Sequence, residues 1–412
     1  MESNKRGGKM KRLLLLSTVT LLLVILIGGS AFATIARIRA LGNADYFFKD
    51  IYQIYRNPAY LGMYTNTVYG ELGFYNRFEL GTEQFTPEDQ FLGINYKLYK
   101  GLSLGLTLNR FVSTDFNYFR FPEPINPFDL MASYDFEKLH LGISLYHAGN
   151  KQEYKNGVDY SSESSSGNTA LTGGFVFNLM EKHDIEGMLR LNFDRGKLTY
   201  TSGATTSALE TDGGNGIQFG ARGFFQVTDD YQMVPLVAFG SESISLKGTG
   251  TEAGNSTTGD FKENFFIVGL GGNLKLDKGM VVGGLNLTRM KWIDETDTTN
   301  WQYDYTEWFI PGFNLGVEYE LTKWLTARMG MEKEFGRYED KYHEGNSAFF
   351  YEEKGRFSSP SSQDFIGLGV GFKFSKFQVD ATIGEDNFFE GTYLLSGIQR
   401  NLFGIVSAVF TF

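Results

Sequence analysis

The chain has 412 residues, with 50 Gly, 8 Pro, 38 Phe, 23 Tyr, no Cys and a formal charge of -10. Without cysteine there are no disulfides or thiolate metal sites, and the acidic balance argues against nucleic acid as a partner. Gly, Phe, Tyr and Thr together favour strands and turns over long helices.

Residues 1–33 read as a secretion signal. Lys5, Arg6, Lys9, Lys11 and Arg12 form a basic head, residues 13–27 an apolar core, and Ala31-Phe32-Ala33 a small-x-small cleavage pattern. An uncleaved membrane anchor is the alternative; the Gly28-Gly29-Ser30 break favours cleavage. Beyond residue 33 no apolar run approaches the ~20 residues of a spanning helix. Membrane insertion, if it occurs, falls to strands.

Residues 34–66 differ from all that follows. Ile51, Tyr52, Ile54 and Tyr55 sit at helical spacing behind Asp50, a residue suited to capping a short turn. Asn57-Pro58 ends that turn, because the residue before proline is pushed out of the α region. The arrangement Gly42-Asn43-Ala44-Asp45, Asp50 and Asn57-Pro58-Ala59 resembles the N-terminus of the FadL-like family, long-chain fatty-acid transporters and their PorV-type relatives. That resemblance implies a segment folded inside a fourteen-strand barrel as a plug, with Asp50, Asn57 and Pro58 in it. A flexible periplasmic leader is the other reading.

From Val68 onward the chain alternates with period two. Leu102, Leu104, Leu106 and Leu108 face one way, and Ser103, Gly105, Thr107 and Asn109 the other. The same pattern recurs over 139–146, 313–321 and 366–374. Short polar turns fall at 99–101, 137–138, 180–183, 228–230, 277–279, 322–323 and 375–376. Between them lie the longer polar segments 113–127, 148–168, 194–215, 248–261, 294–306, 336–363 and 384–398, read here as loops, with 160–167 a solvated tract. Strict alternation of short and long connections marks an outer-membrane barrel, and a soluble sandwich has no reason to segregate them. The reading is all-β: an antiparallel up-and-down transmembrane barrel of about sixteen strands over 67–412. Merging weak runs such as 129–136 would give fourteen. The final run, residues 402–412, puts Leu402, Gly404, Val406, Ala408, Phe410 and Phe412 on one face. It resembles the C-terminal strand of bacterial outer-membrane barrels, which implies the barrel-assembly machinery as a partner alongside outer-membrane lipid and lipopolysaccharide. Tyr96, Tyr99, Trp292, Trp308, Tyr319 and Trp324 suit interfacial girdles.

With Leu, Ile, Val and Phe facing lipid, the opposite face points into the lumen. It carries Glu71, Lys97, Glu186, Arg190, Arg222, Lys275, Glu318, Glu320, Arg328, Glu332, Lys373 and Asp380. Arg190, Arg222, Arg328, Lys373 and Glu318 are the candidate substrate contacts, arginine offering a fork of donors to a carboxylate; pairing with one another or with the 34–66 segment is the alternative. Inward glycines such as Gly105, Gly142, Gly174, Gly271, Gly316, Gly330 and Gly369 leave room for something in the lumen, or serve barrel curvature alone. No catalytic, cofactor or metal constellation emerges. His147 and Ser144 point to opposite faces, and His343 near Asp340 stands apart from any nucleophile. Three functions remain: a transport barrel for small, hydrophobic molecules, an open porin for small polar solutes, and a PorV-type surface scaffold for secreted proteins.

Overall fold

A strand in hydrocarbon must pair along both edges, since no water is there to satisfy its amides. In the computed structural model of the chain this is met by a ladder that closes on itself. The structure describes residues 34–73, 76–79, 82–85, 90–112, 120–157, 160–180, 182–250, 258–296, 301–344, 350–358, 365–383 and 403–412. The signal at 1–33, the segment 384–398 and Leu402 lie outside them.

The barrel runs β1 (Thr67–Gly73), β2 (Phe91–Tyr99), β3 (Leu102–Leu108), β4 (Ile125–Asp135), β5 (Leu139–Asn156), β6 (Tyr160–Leu179), β7 (His183–Ser202) and β8 (Thr205–Gln226). It continues through β9 (Tyr231–Thr249), β10 (Gly259–Leu276), β11 (Gly279–Thr296), β12 (Trp301–Thr322) and β13 (Leu325–Glu344). β14 comes in two pieces, Phe350–Ser358 and Phe365–Phe374, which share one edge of β13, the first along its outer half and the second along its inner half. β15 (Phe377–Ile383) and β16 (Phe403–Thr411) complete the wall. β1 pairs with β2 on one side and with β16 on the other, from Thr67 opposite Thr411 to Gly73 opposite Ile405. Among the described residues the closed barrel therefore has sixteen strands, two more than the family resemblance implies. The short run at 129–136 belongs to a full strand, β4, with a ladder on each edge. Among the described residues a hairpin of Asn76–Glu79 and Thr82–Phe85 pairs only with itself.

Where described, the long polar segments 148–168, 194–215, 248–261, 294–306 and 336–363 are largely strand, which corrects their reading as loops, whereas 113–127 enters a strand only at Ile125. Residues 160–167, taken as a solvated tract, pair with β5 on one edge and β7 on the other. β7 to β13 likewise run well past their apolar portions. Apolar alternation stops where lipid stops, but the backbone ladder does not depend on it, and Ser, Thr and Tyr sustain a strand in water.

The apolar face points outward: Leu92, Ile94, Leu141, Ile143, Leu189, Val268, Leu285, Leu315 and Met329 are all exposed. A closed barrel girdled this way is an outer-membrane architecture. Tyr96 stacks on the terminal Phe412, and Trp324 on Phe372 and Phe374, near the short-turn end. Trp292 instead shares the inward parity of Val282 and packs on Tyr305.

Residues 34–64 fold as α1 (Ile35–Ala40) and three 3-10 turns, Ala44–Phe47, Ile51–Tyr55 and Pro58–Tyr64. Three of the four have a side-chain start signal. Thr34 caps α1 through the Arg37 N–H, Asp50 accepts from the Tyr52 N–H, and Asn57 accepts from the Ala59 N–H with Pro58 first in its turn. α1 packs on β13 to β16, the Ala44–Phe47 turn on β10 to β12, and the Pro58–Tyr64 turn on β2 to β6. A segment that touches strands all round the circumference lies inside the barrel.

Two glycine pairs admit it. A Cβ on Gly142 would stand 2.2 Å from the Ala59 nitrogen, and one on its cross-strand partner Gly174 2.1 Å from the Asn57 Oδ1. Phe47 fills the equivalent space over Gly271 and Gly284. Overpacking of this kind costs about 1–3 kcal/mol. Gly142→Leu is therefore expected to leave a heat-modifiable, folded barrel but to expose the N-terminal segment to protease, read by the rate of cleavage in intact detergent complexes.

Candidate functional site: the filled lumen

The polar side of each strand faces inward, and near the short-turn end it meets the N-terminal segment as a set of buried charges. Arg37 from α1 gives Nε and Nη2 to Glu318 at 2.7 and 2.9 Å. Arg328, directly across the ladder from Glu318, donates Nε to the same carboxylate at 2.6 Å and Nη1 to Asp380 at 2.6 Å. Asp380 also accepts from Thr34 and Gln378. Two cations and two anions are thus closed into one network, with Arg328 and Asp380 buried.

A second network lies across the lumen. Arg222 bonds Glu186, its ladder partner, and reaches the carbonyls of Asp45 and Tyr46 at 2.9 Å each and the Gln53 Oε1 at 3.0 Å. Tyr60 donates to the same Glu186, Lys49 pairs with Asp184, and Arg56 pairs with Asp45 at 2.5 Å. Between the two, Asn43 donates to Glu332 at 2.5 Å, and Asn314 to the Gly42 carbonyl at 2.8 Å. Asn57 donates to the Phe175 carbonyl at 3.0 Å while capping its own turn. Toward β3 and β4, Arg110 makes a two-pronged bond to Asp129 at 2.9 and 2.7 Å and covers the Tyr55 ring at 4.2 Å.

Of the candidates drawn from the sequence, Arg222, Arg328 and Glu318 are thus committed to holding the segment. Lys373 sits one step from the Phe374–Phe377 turn, at the short-turn mouth, directly across the ladder from Gln378. Arg190 differs. Its Nε donates to the Asn192 side chain at 2.7 Å and its guanidinium lies 6.0 Å from the Tyr146 ring centre; among the described residues no carboxylate stands at ion-pair distance.

Below Arg190 opens a cavity of about 200 Å³. The segment supplies Tyr46, Gln53 and Arg56 as its floor, and Met188, Leu236, Phe265 and Ile267 form apolar walls. Arg190 stands on the next rung outward from Met188, opposite Gln218. Farther out, Phe121 packs against Leu209, Ile244 and Leu246. Neither the cavity nor Phe121 was read from the sequence, because the residues come from strands far apart in the chain. The one available signal was the bulk of Met188, Phe265 and Ile267 on the inward faces of their strands.

Asp50 is the outlier within the segment. It is 1 % exposed, its Oδ1 caps the Tyr52 N–H at 3.0 Å, and its Oδ2 accepts no hydrogen bond. Burial pushes its carboxyl up to about 7, with Arg37 at 3.8 Å opposing only in part because that guanidinium is spent on Glu318.

No family model matches the chain and no curated protein matches it. Among solved structures the chain is similar to the Pseudomonas putida toluene transporter TodX, at 11% identity over 94% of this chain and 100% of that one, with a TM-score of 0.40. A Pseudomonas aeruginosa FadL homologue is similar at 12% identity over 94% and 99%, TM-score 0.42. The alcaligin receptor FauA from Bordetella pertussis matches at 9% over 77% and 67%, TM-score 0.37. TM-scores of this size carry no residue correspondence.

Two outcomes follow from the charges. Removing one partner of a buried ion network costs about 3–5 kcal/mol because the others remain buried, so Glu318→Gln is expected to lower the urea midpoint of the mature protein, followed by tryptophan fluorescence. For Asp50, docking of the segment is fully favoured below the ordinary carboxyl value of 3.8 and weakens as pH rises through about 7, since only the released form is readily ionised. Hydrogen exchange of residues 34–64 should quicken between pH 5 and pH 8 beyond its intrinsic trend, and Asp50→Asn should abolish that excess.

Proposed function

We infer that the protein is an outer-membrane transport barrel in which residues 34–64 form a plug, and that the molecules passing it are small and mostly apolar with an anionic head. What carries this reading is the cavity on the plug: apolar walls from Met188, Leu236, Phe265 and Ile267 with Arg190, a cation without a carboxylate, on the rung above. An apolar body gains about 25 cal/mol per Å² of surface withdrawn from water. A carboxylate or similar group on it would take the guanidinium fork. An open porin is the less favoured function, because a polar solute gains nothing from such walls and the plug ties to the barrel on every side.

The test is ion conductance of the mature protein in planar bilayers beside a variant lacking residues 34–62. The full protein is expected to be nearly silent and the deletion to conduct. Equal, large conductance from both makes the protein a porin, and silence from both makes it a scaffold. Arg190→Gln is then expected to weaken uptake of a carboxylated amphiphile about tenfold, the worth of one charge-assisted hydrogen bond, and to leave an uncharged hydrocarbon of the same length unaffected.

A further inference from the structure

The outer surface of β10 to β14 carries a row of side chains with an unusual makeup. Phe266 stands opposite Arg289, Arg289 opposite Trp308, Trp308 opposite Arg337, and Arg337 opposite Arg356. Their parity is that of the lipid-facing residues: Val268 and Leu270 on β10, Leu285 on β11 and Met329 on β13 are exposed on the same side. Some 9–11 residues carry a tilted strand across the hydrocarbon. Counted from Gly279 on β11 and Leu325 on β13, Arg289 falls where the hydrocarbon ends on the side away from the short turns and Arg337 just beyond that edge.

The row is cationic and unneutralised. Arg289 and Arg337 flank the Trp308 ring at 5.4 and 5.3 Å. Arg337 and Arg356 are direct cross-strand partners, a like-charge placement that destabilises a sheet when nothing lies between them. Among the described residues none of the three arginines makes an ion pair. The nearest acid on this face, Glu339, is held by Lys341 at 2.8 Å and Lys354 at 3.1 Å, and Asp304 by Lys291 at 2.9 Å. One rung inward, Lys333 lies over Phe335. At the level of the row the acids Glu307 and Asp340 have the opposite parity and share the lumen side with Tyr305 and Tyr338. The outward acids are thus taken up by lysines farther from the membrane, and among the described residues the arginines at the lipid boundary are left without one.

We propose that the Arg289, Trp308, Arg337 and Arg356 row binds the phosphate-bearing headgroup of an outer-leaflet glycolipid. Guanidinium forks match phosphate oxygens two at a time, a phosphate between Arg337 and Arg356 removes their repulsion, and the acyl chains then lie along the exposed apolar belt directly beneath. A soluble phosphate would gain the charge but not the belt. This site is independent of what passes through the lumen.

The experiment is native mass spectrometry of the detergent-solubilised mature protein, titrated with bis-phosphorylated lipid A and with the same lipid freed of both phosphates. The wild type should retain the phosphorylated lipid at least tenfold more strongly than the dephosphorylated one. The triple variant R289Q/R337Q/R356Q should lose that preference, and R289K/R337K/R356K should recover part of it. Inorganic phosphate at millimolar concentration should not displace the lipid. Equal retention of both lipids by the wild type, an unchanged triple variant, displacement by inorganic phosphate, or an acidic protein held in the lipid's stead would each overturn the proposal. Folding of the variants is read from heat-modifiable gel mobility. Should the triple fail to fold, Arg356→Gln at the exposed end of the row is expected to weaken retention about threefold, and no change in it overturns the proposal equally.

Discussion

Closure of the hydrogen-bond ladder is the constraint on which the rest depends. Inside a bilayer an unpaired amide costs several kcal/mol, so the first strand must find the last, and β1 does so along its whole length with β16. Sixteen strands around a ring enclose more space than inward side chains alone can fill. Something else must occupy it or water will. In this chain the occupant is covalently attached: residues 34–64, short and irregular, and folded by caps and glycine-backed contacts rather than by helical length. An α-helix of six residues has little stability of its own. Its order comes from the wall.

The charges are a consequence of that packing. A barrel wall can place polar groups only inward at membrane depth, and a segment docked there must answer them. Glu318 serves Arg37 and Arg328 together, and Glu186 serves Arg222 and Tyr60 together. Each carboxylate joins a strand to the segment, so the order of the segment depends on the wall. Asp50 is the exception, with one oxygen unanswered, and it makes the docked state sensitive to protonation. Buried ion networks add less to net stability than their number suggests, since desolvation offsets most of the attraction. Their effect is on register: only one depth and rotation of the segment satisfies all of them.

On the outside the same strands meet two solvents. Below, apolar side chains match the acyl region. Above, the ladder continues in water, and the boundary between the two on β11 to β14 is marked by cations around Trp308. Extending the strands past the membrane keeps their pairing intact and builds a tall rim without relying on loop order.

The sequence by itself determined the fold class, because period-two alternation and the short-long rhythm of connections are local properties of the chain. It also located the strand starts at Leu102, Leu139, Tyr231 and Leu325, and the turn behind Asp50 and Asn57. It misjudged where strands end, since 148–168 and 194–215 look like loops by polarity while backbone pairing is blind to polarity. Which arginines are free was decided by tertiary structure alone. Arg190, Arg222 and Arg328 are equivalent on an inward face, and only the docking of residues 34–64 commits two of them and leaves the third. The cavity and the cation row likewise exist only once β7 meets β10 and β11 meets β14. Contacts across a barrel are set by register and closure, and no window of the sequence contains both partners.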